Sequence, residues 1–195
     1  RLSTAAAADR DFTRCYFLEA MALFTLTQLH VTPVHAACIA RGGRALMLCG
    51  ENGAGKSTLA YACARRGWTY ISDNESWLLR GDGRTILGHP QRIRLRDTAA
   101  GLFPDLARRP AVNVNGKRSI LLDAAGLDTA FQCRPERIVF LKRDGTPATL
   151  TAARGACEQL LADIIQYTPE VRAAHRASLE RFTEIPAFEL HYTDL

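Results

Sequence analysis

Lysine is scarce in this basic chain: Lys56, Lys117 and Lys142 are the only three among 25 basic residues, and the other 22 are arginines. Against 20 acidic residues this leaves a net charge of +5, which suits phosphorylated ligands or an acidic partner. No long basic run with interleaved aromatics occurs, so nucleic acid is not an expected partner. The six cysteines (15, 38, 49, 63, 133, 157) include no C-x-x-C pair, which argues against a zinc site. Cys38, Cys49 and Cys63 sit in apolar runs and read as reduced, structural thiols, as expected of a cytoplasmic protein. No uncharged apolar stretch reaches 18 residues, so no membrane span is expected. Repeats are absent too. The chain opens on Arg1 rather than Met, which leaves its natural start open. Its 195 residues, 47% of them hydrophobic, suit one domain with a sizeable core.

What is present is Gly50-Glu51-Asn52-Gly53-Ala54-Gly55-Lys56-Ser57-Thr58, a full match to the phosphate-binding pattern G-x-x-x-x-G-K-[ST]. Glycines let the backbone wrap so that successive N–H groups point inward and form an anion nest. A helix starting at the lysine adds its positive dipole end. Lys56 then reaches β- and γ-phosphate oxygens, and the Ser57 hydroxyl can ligate Mg²⁺. The context agrees, with a short apolar strand Arg44–Cys49 before the loop and a helix Ser57–Arg66 after it, stopped by Gly67. A nucleoside triphosphate is the expected ligand.

Residues 1–10 are Ala-rich and read as a linker or frayed end, with a single domain over 11–195. Apolar residues Phe17, Leu18, Met21, Phe24 and Leu29 recur at helical spacing, predicting an amphipathic helix over 11–30 that docks on the core and ends at Pro33. Two apolar runs flanking Gly42-Gly43 predict a hairpin, so the strand feeding the loop pairs antiparallel with the one before it. Further strands are predicted at 68–72, 76–80 and 84–88 (a second hairpin), 119–123, 137–142 and 187–192, with helices at 158–167 and 170–182. Intermixed helices, strands and hairpins imply an α/β protein with a mixed sheet.

Asp73 ends the strand after the loop helix, where a carboxylate can bind Mg²⁺ or accept a hydroxyl proton. A turn aspartate would look the same. Asp123, ending Ile120-Leu121-Leu122, is its rival. His35 precedes the strand paired with the loop strand and can orient an acid or a phosphate, though a lone histidine is more often structural. Arg94 and Arg96 alternate with Ile93 and Leu95, so both lie on one strand face; one can clamp a phosphoryl group, or the face is simply solvated. Lys117 and Arg118 are a weaker candidate clamp.

The string GENGAGKSTL is similar to the loop of ATP-binding cassette proteins, but their LSGGQ-type signature and Asp-Glu strand end are missing. The order Val34-His35-Ala36-Ala37, Gly-turn hairpin, GENGAGKSTLA, Ile71-Ser72-Asp73-Asn74 resembles the catalytic domain of HPr kinase/phosphorylase and its smaller relatives, including kinases found with lasso peptides. The resemblance implies a phosphoenolpyruvate-carboxykinase-like P-loop fold, ATP and Mg²⁺ as cofactors, and transfer to a serine hydroxyl of a peptide or protein. It places His35 on the family histidine, Asp73 on the general base and first acid, and Arg94 on a phosphate-contacting arginine. Metal ligation then falls to Ser57, Asp73 and Asn74. Asn74 stands where the second acid is expected and can offer only a carbonyl oxygen. Arg92 replaces the glutamate of the phosphorylase signature, which weighs against phosphorolysis, and the HPr-regulating region is not recognisable. Two other readings stay open: a small-molecule hydroxyl kinase of the same fold, and a nucleotide-binding regulatory module with little catalysis. Residues after Asp123 are candidates for a homo-oligomer interface.

Overall fold

The computed structural model describes residues 13–114, 116–164 and 167–194; the linker expected at 1–10 lies outside them. A π-helical segment (Thr13–Glu19) runs into helix α1 (Ala20–Leu29) and strand β1 (Val31–Val34). Strands β2 (Ala37–Arg41) and β3 (Arg44–Cys49) pair antiparallel around Gly42-Gly43, both of which have positive φ. Helix α2 (Lys56–Ala64) follows the loop, then β4 (Thr69–Ser72), β5 (Ser76–Leu79), β6 (Ile86–Gly88) and β7 (Arg92–Arg96). Two short 3-10 turns (Asp97–Gly101, Pro104–Leu106) lead to β8 (Ala111–Val114), β9 (Lys117–Asp123), β10 (Gln132–Cys133) and β11 (Pro135–Arg143). The chain closes with β12 (Thr149–Ala152), helices α3 (Ala156–Ala162) and α4 (Pro169–Phe182), and β13 (Ala187–Tyr192).

The central sheet has the order β12-β13-β11-β3-β2-β4 and is mixed: β3 is parallel to β11, and β11 to β13, while the other neighbours run antiparallel. Alternation sends successive residues to opposite faces, and both faces are covered. Met47 and Ile71 join Leu78, Ile86, Leu160, Leu179 and Phe182 in one apolar cluster, under α3, α4 and the antiparallel sheet β1-β5-β6-β10. Their neighbours Leu48 and Tyr70 join Ala60, Tyr61, Ile93, Leu95, Ile120 and Leu122 in the other. This second cluster wedges α2 between the central sheet and the three-stranded sheet β7-β9-β8. Truncating a side chain such as fully buried Ile93 to alanine costs roughly 2–5 kcal/mol. Helix α2, which the 50–55 loop leads into, is therefore held between two packed layers.

The N-terminal helix departs from expectation. Phe17, Leu18, Met21, Phe24, Leu26 and Leu29 are all exposed, and Thr27 is the buried residue of α1. The segment is apolar on every side, so it has no single stripe to dock. Its attachment is polar instead: Arg80 donates from its guanidinium to the carbonyls of Thr27, Gln28 and Val31. Pro33 does not end the helix, which stops at Leu29. It lies within β1, opposite Trp77, and β1 is an edge strand, where a missing N–H is tolerated. No helix among the described residues is long and apolar enough to cross a membrane.

Candidate active site

The loop leaves β3 at Gly50, whose φ is +135° and where an added Cβ would lie 2.7 Å from the Leu141 carbonyl oxygen. A side chain there would collide with β11, so the turn requires glycine. Gly55, at φ +85°, caps α2. Behind the loop the Tyr192 hydroxyl donates to the Ala54 carbonyl, bringing the end of β13 under it. Lys56 is only 5% exposed and donates from Nζ to the carbonyls of Gly50 (2.6 Å) and Glu51 (3.1 Å). An ammonium has three donors, so a third remains for an anion. Burial lowers its pKa, opposed by Cys49 and the carboxylates Asp163 and Asp73.

Asp73 emerges from β4 beside the first turn of α2. Its Oδ2 accepts the Arg94 backbone N–H at 3.3 Å, while Oδ1 is buried without a hydrogen-bond partner. Burial raises its pKa; the neighbouring Ser57 hydroxyl, the Arg94 amide and the charges of Arg94 and Lys56 oppose that shift. A carboxyl so placed is a stronger base than an ordinary aspartate. His35 Nε2 donates to Asn74 Oδ1 at 2.7 Å, and its Nδ1 lies 3.9 Å from Asp163. Burial and then the Lys56 charge lower its pKa, which favours the neutral imidazole. Asn74 sits at φ +66°, a left-handed conformation that asparagine adopts more readily than most residues. Beneath both turns, the Ser72 and Ser76 hydroxyls meet at 2.7 Å and Ser76 donates to the Ala36 carbonyl at 2.9 Å. That chain locks the His35 turn to the Asp73-Asn74 turn.

A cleft of about 510 Å³ opens over the loop. Its walls include Asn52, Gly53, Gly55, Lys56, Ser57 and Thr58 on one side and Arg94, Arg96, Lys117 and Ser119 on the other, with Asn74 between. The candidates Gly50, Glu51 and Ala54 lie in the loop's backbone turn, where the Ala54 N–H donates to the Glu51 carbonyl at 3.1 Å. Asp73 meets the cleft through Ser57 and Arg94, and His35 through Asn74. Two sequence candidates lie elsewhere. Arg118 pairs with Asp97 at 3.1 Å on the alternate face of β9 from Lys117, so it is not a clamp in this cleft. Asp123 is exposed and accepts the Ala125 N–H at 2.9 Å, which makes it a turn residue.

Arg143, Asp194 and Ser119 also line the cleft, and Asp163 approaches His35; none of these was singled out from the sequence. For Arg143 and Asp194 the available signal is the rule that strand C-terminal ends face the ligand, because β11 and β13 run parallel to the strand that enters the loop; Ser119 and Asp163 carry no such signal. Among the described residues there is no cluster of three His, Cys, Asp or Glu that could hold a metal ion. Any cation here would rest on a mixed set of hydroxyl, carboxylate and amide oxygens.

No protein-family model matches this chain, and no curated protein matches it either. Among solved structures, the HPr(Ser) kinase/phosphatase from Coxiella burnetii is similar with a TM-score of 0.44 and 14% sequence identity, over 84% of this chain and 80% of that one.

Proposed function

We propose that residues 11–195 form a P-loop kinase domain of phosphoenolpyruvate-carboxykinase-like architecture that transfers the γ-phosphate of ATP to a serine hydroxyl of a peptide or protein. The observation that carries this reading is the placement of Asp73: a half-buried carboxyl whose Oδ1 is buried without a hydrogen-bond partner, beside the Ser57 hydroxyl of a full phosphate-binding motif. The antiparallel β2–β3 pair leading into that motif and the resemblance of the segment 34–74 to the HPr kinase family support it.

The residues fit a hard cation. An unpartnered buried carboxylate oxygen beside a hydroxyl is the donor set Mg²⁺ takes, which favours Ser57 and Asp73 as ligands; the Asn74 oxygen is already bonded to His35. Bound there, Mg²⁺ would neutralise charge on the β- and γ-phosphate oxygens. Lys56 and the loop amides hold the phosphates. The serine oxygen forms a bond to the γ-phosphorus as the bond to the β-phosphate oxygen breaks, and the hydroxyl proton passes to the Asp73 carboxyl. Arg94, whose amide is tied to that carboxyl and which lines the cleft, supplies positive charge to the transferring group. His35 touches neither reactant; it positions Asn74 and the turn behind Asp73.

Incubating the protein with ATP, Mg²⁺ and a library of serine peptides, including lasso-type precursors, tests the reading by mass spectrometry. It predicts phosphoserine and ADP in equal amounts. Phosphorylation confined to hydroxylated metabolites would assign a small-molecule kinase instead. ATP binding with neither product would assign a regulatory module, a reading that the uncharged Asn74 favours.

A further inference from the structure

The cleft is more cationic than a nucleotide requires. Lys56, Arg94, Arg96, Lys117 and Arg143 line it against one carboxylate, Asp194, and Asp194 is bound to Arg143 at 2.6 Å. Among the described residues, none of the other four side chains forms an ion pair. Asp97, the residue after Arg96, is engaged by Arg118. A Mg²⁺-bound triphosphate brings a net charge of about −2; Lys56 and Arg94, which also face the Asp73 carboxyl, are the cations beside the loop. Arg96 and Lys117 remain. Two cations lining one cleft without an ion-pair partner repel one another unless water or a further anion screens them.

Their placement is ordered. Arg94 and Arg96 are two apart on β7, Ser119 lies directly opposite Arg96 on β9, and Lys117 is two residues before it. Period-two alternation therefore puts Arg94, Arg96, Ser119 and Lys117 on one face of the three-stranded sheet. This line starts at the Asp73 carboxyl, which accepts the Arg94 amide N–H. The same face continues with Leu121, opposite Arg94, and Val112, opposite Ser119, and they are 50% and 42% exposed. A basic line flanked by exposed apolar side chains extends well beyond what a small hydroxylated molecule would cover.

We infer that the acceptor is an acidic peptide segment, whose carboxylates pair with Arg96 and Lys117 while its serine reaches the Lys56–Asp73 centre. This rests on the phosphotransfer reading for the role of the bound peptide, but the surface can be tested by binding alone. The carboxylates would seat the peptide along β7 and β9 and so set its direction past the γ-phosphate. Charge pairing at this partly exposed face would mainly lower KM and would weaken with salt.

The probe is a fluorescent serine peptide flanked by Asp and Glu, compared with its Asn/Gln isostere. Affinity is read by anisotropy with a non-hydrolysable ATP analogue and Mg²⁺ present, for the wild type and for R96Q/K117Q. The acidic peptide is expected to bind the wild type at least about tenfold more tightly, and the double variant no better than the isostere. Equal affinity for both peptides, a preference that survives in R96Q/K117Q, or displacement of the peptide by a free dicarboxylate at equal concentration would each overturn the inference. Transfer from ATP on the same peptides separates the two claims. Charge-selective binding without phosphoserine would keep the surface and sink the kinase, whereas equal phosphorylation of both peptides would do the reverse.

Discussion

His35 and Asn74, 39 residues apart in sequence, are joined by a 2.7 Å hydrogen bond from Nε2 to Oδ1. That bond holds the turn before β2 against the turn after β4, the turn from which Asp73 projects. Among the described residues Asn74 is also the one non-glycine with positive φ, so its side chain and its backbone contribute separately. Asn74→Gly should lose only the hydrogen bond, about 1 kcal/mol. Asn74→Ala should lose that bond and add the left-handed penalty of about 1–2 kcal/mol. Chemical denaturation of the two variants checks this, and equal stabilities would mean the backbone at residue 74 carries no strain.

Acid should destabilise the fold through His175. This side chain is fully buried; its Nδ1 lies 3.1 Å from the Thr32 hydroxyl and 3.2 Å from the Arg80 guanidinium. Burial, with the Arg80 charge adding to it, pulls its pKa down to about 4. The unfolded chain, with a histidine pKa near 6.5, therefore binds the proton more readily than the folded one, and stability rises with pH across this window. As pH falls from about 6.5 to about 4, the protein should lose up to about 3 kcal/mol. His35, shifted the same way, adds to the slope. His175→Gln should flatten the pH dependence of the unfolding midpoint between those limits, and an unchanged slope would remove His175 as its source.

Lys56 should matter far more for ligand than for fold. Its ammonium is desolvated and held by two backbone carbonyls, and a buried charge contributes little net stability. Lys56→Met keeps an unbranched apolar stem, one atom shorter, and removes the charge. It should change unfolding free energy by no more than about 1 kcal/mol while weakening ATP binding by about a hundredfold or more. Calorimetry of unfolding and of nucleotide titration measures both. A large loss of stability with intact ATP affinity would contradict the assignment.

The loop, its flanking strand and helix, and both glycine-turn hairpins were legible because each rests on local chemistry: φ > 0 at Gly42 and Gly43, a lysine at a helix start, alternating apolar residues. Alternation likewise put Arg94 and Arg96 on one face. Strands β8, β10 and β12 were not legible. β10 is two residues long and all four residues of β12 are exposed, so neither carries a burial pattern. Helix α1 has apolar residues at helical spacing but leaves them exposed, because Arg80 anchors it through backbone carbonyls. Asp163, Arg143 and Asp194 come to the site through tertiary packing and the β13-β11-β3 order of a mixed sheet, which no local pattern encodes. Arg118 and Asp123 failed as candidates for the converse reason, each being satisfied by a partner away from the cleft.

In the proposed reaction the Asp73 carboxyl takes the acceptor proton while Lys56 and the loop hold the triphosphate. Single-turnover phosphoryl transfer by Asp73→Asn, measured beside its ATP affinity on an accepted peptide, tests it most directly. The amide keeps the shape and can still accept the Arg94 N–H but cannot act as base. ATP affinity should stay within about tenfold while the transfer rate falls about 10²–10⁴-fold. Transfer at the wild-type rate would rule out Asp73 as the base.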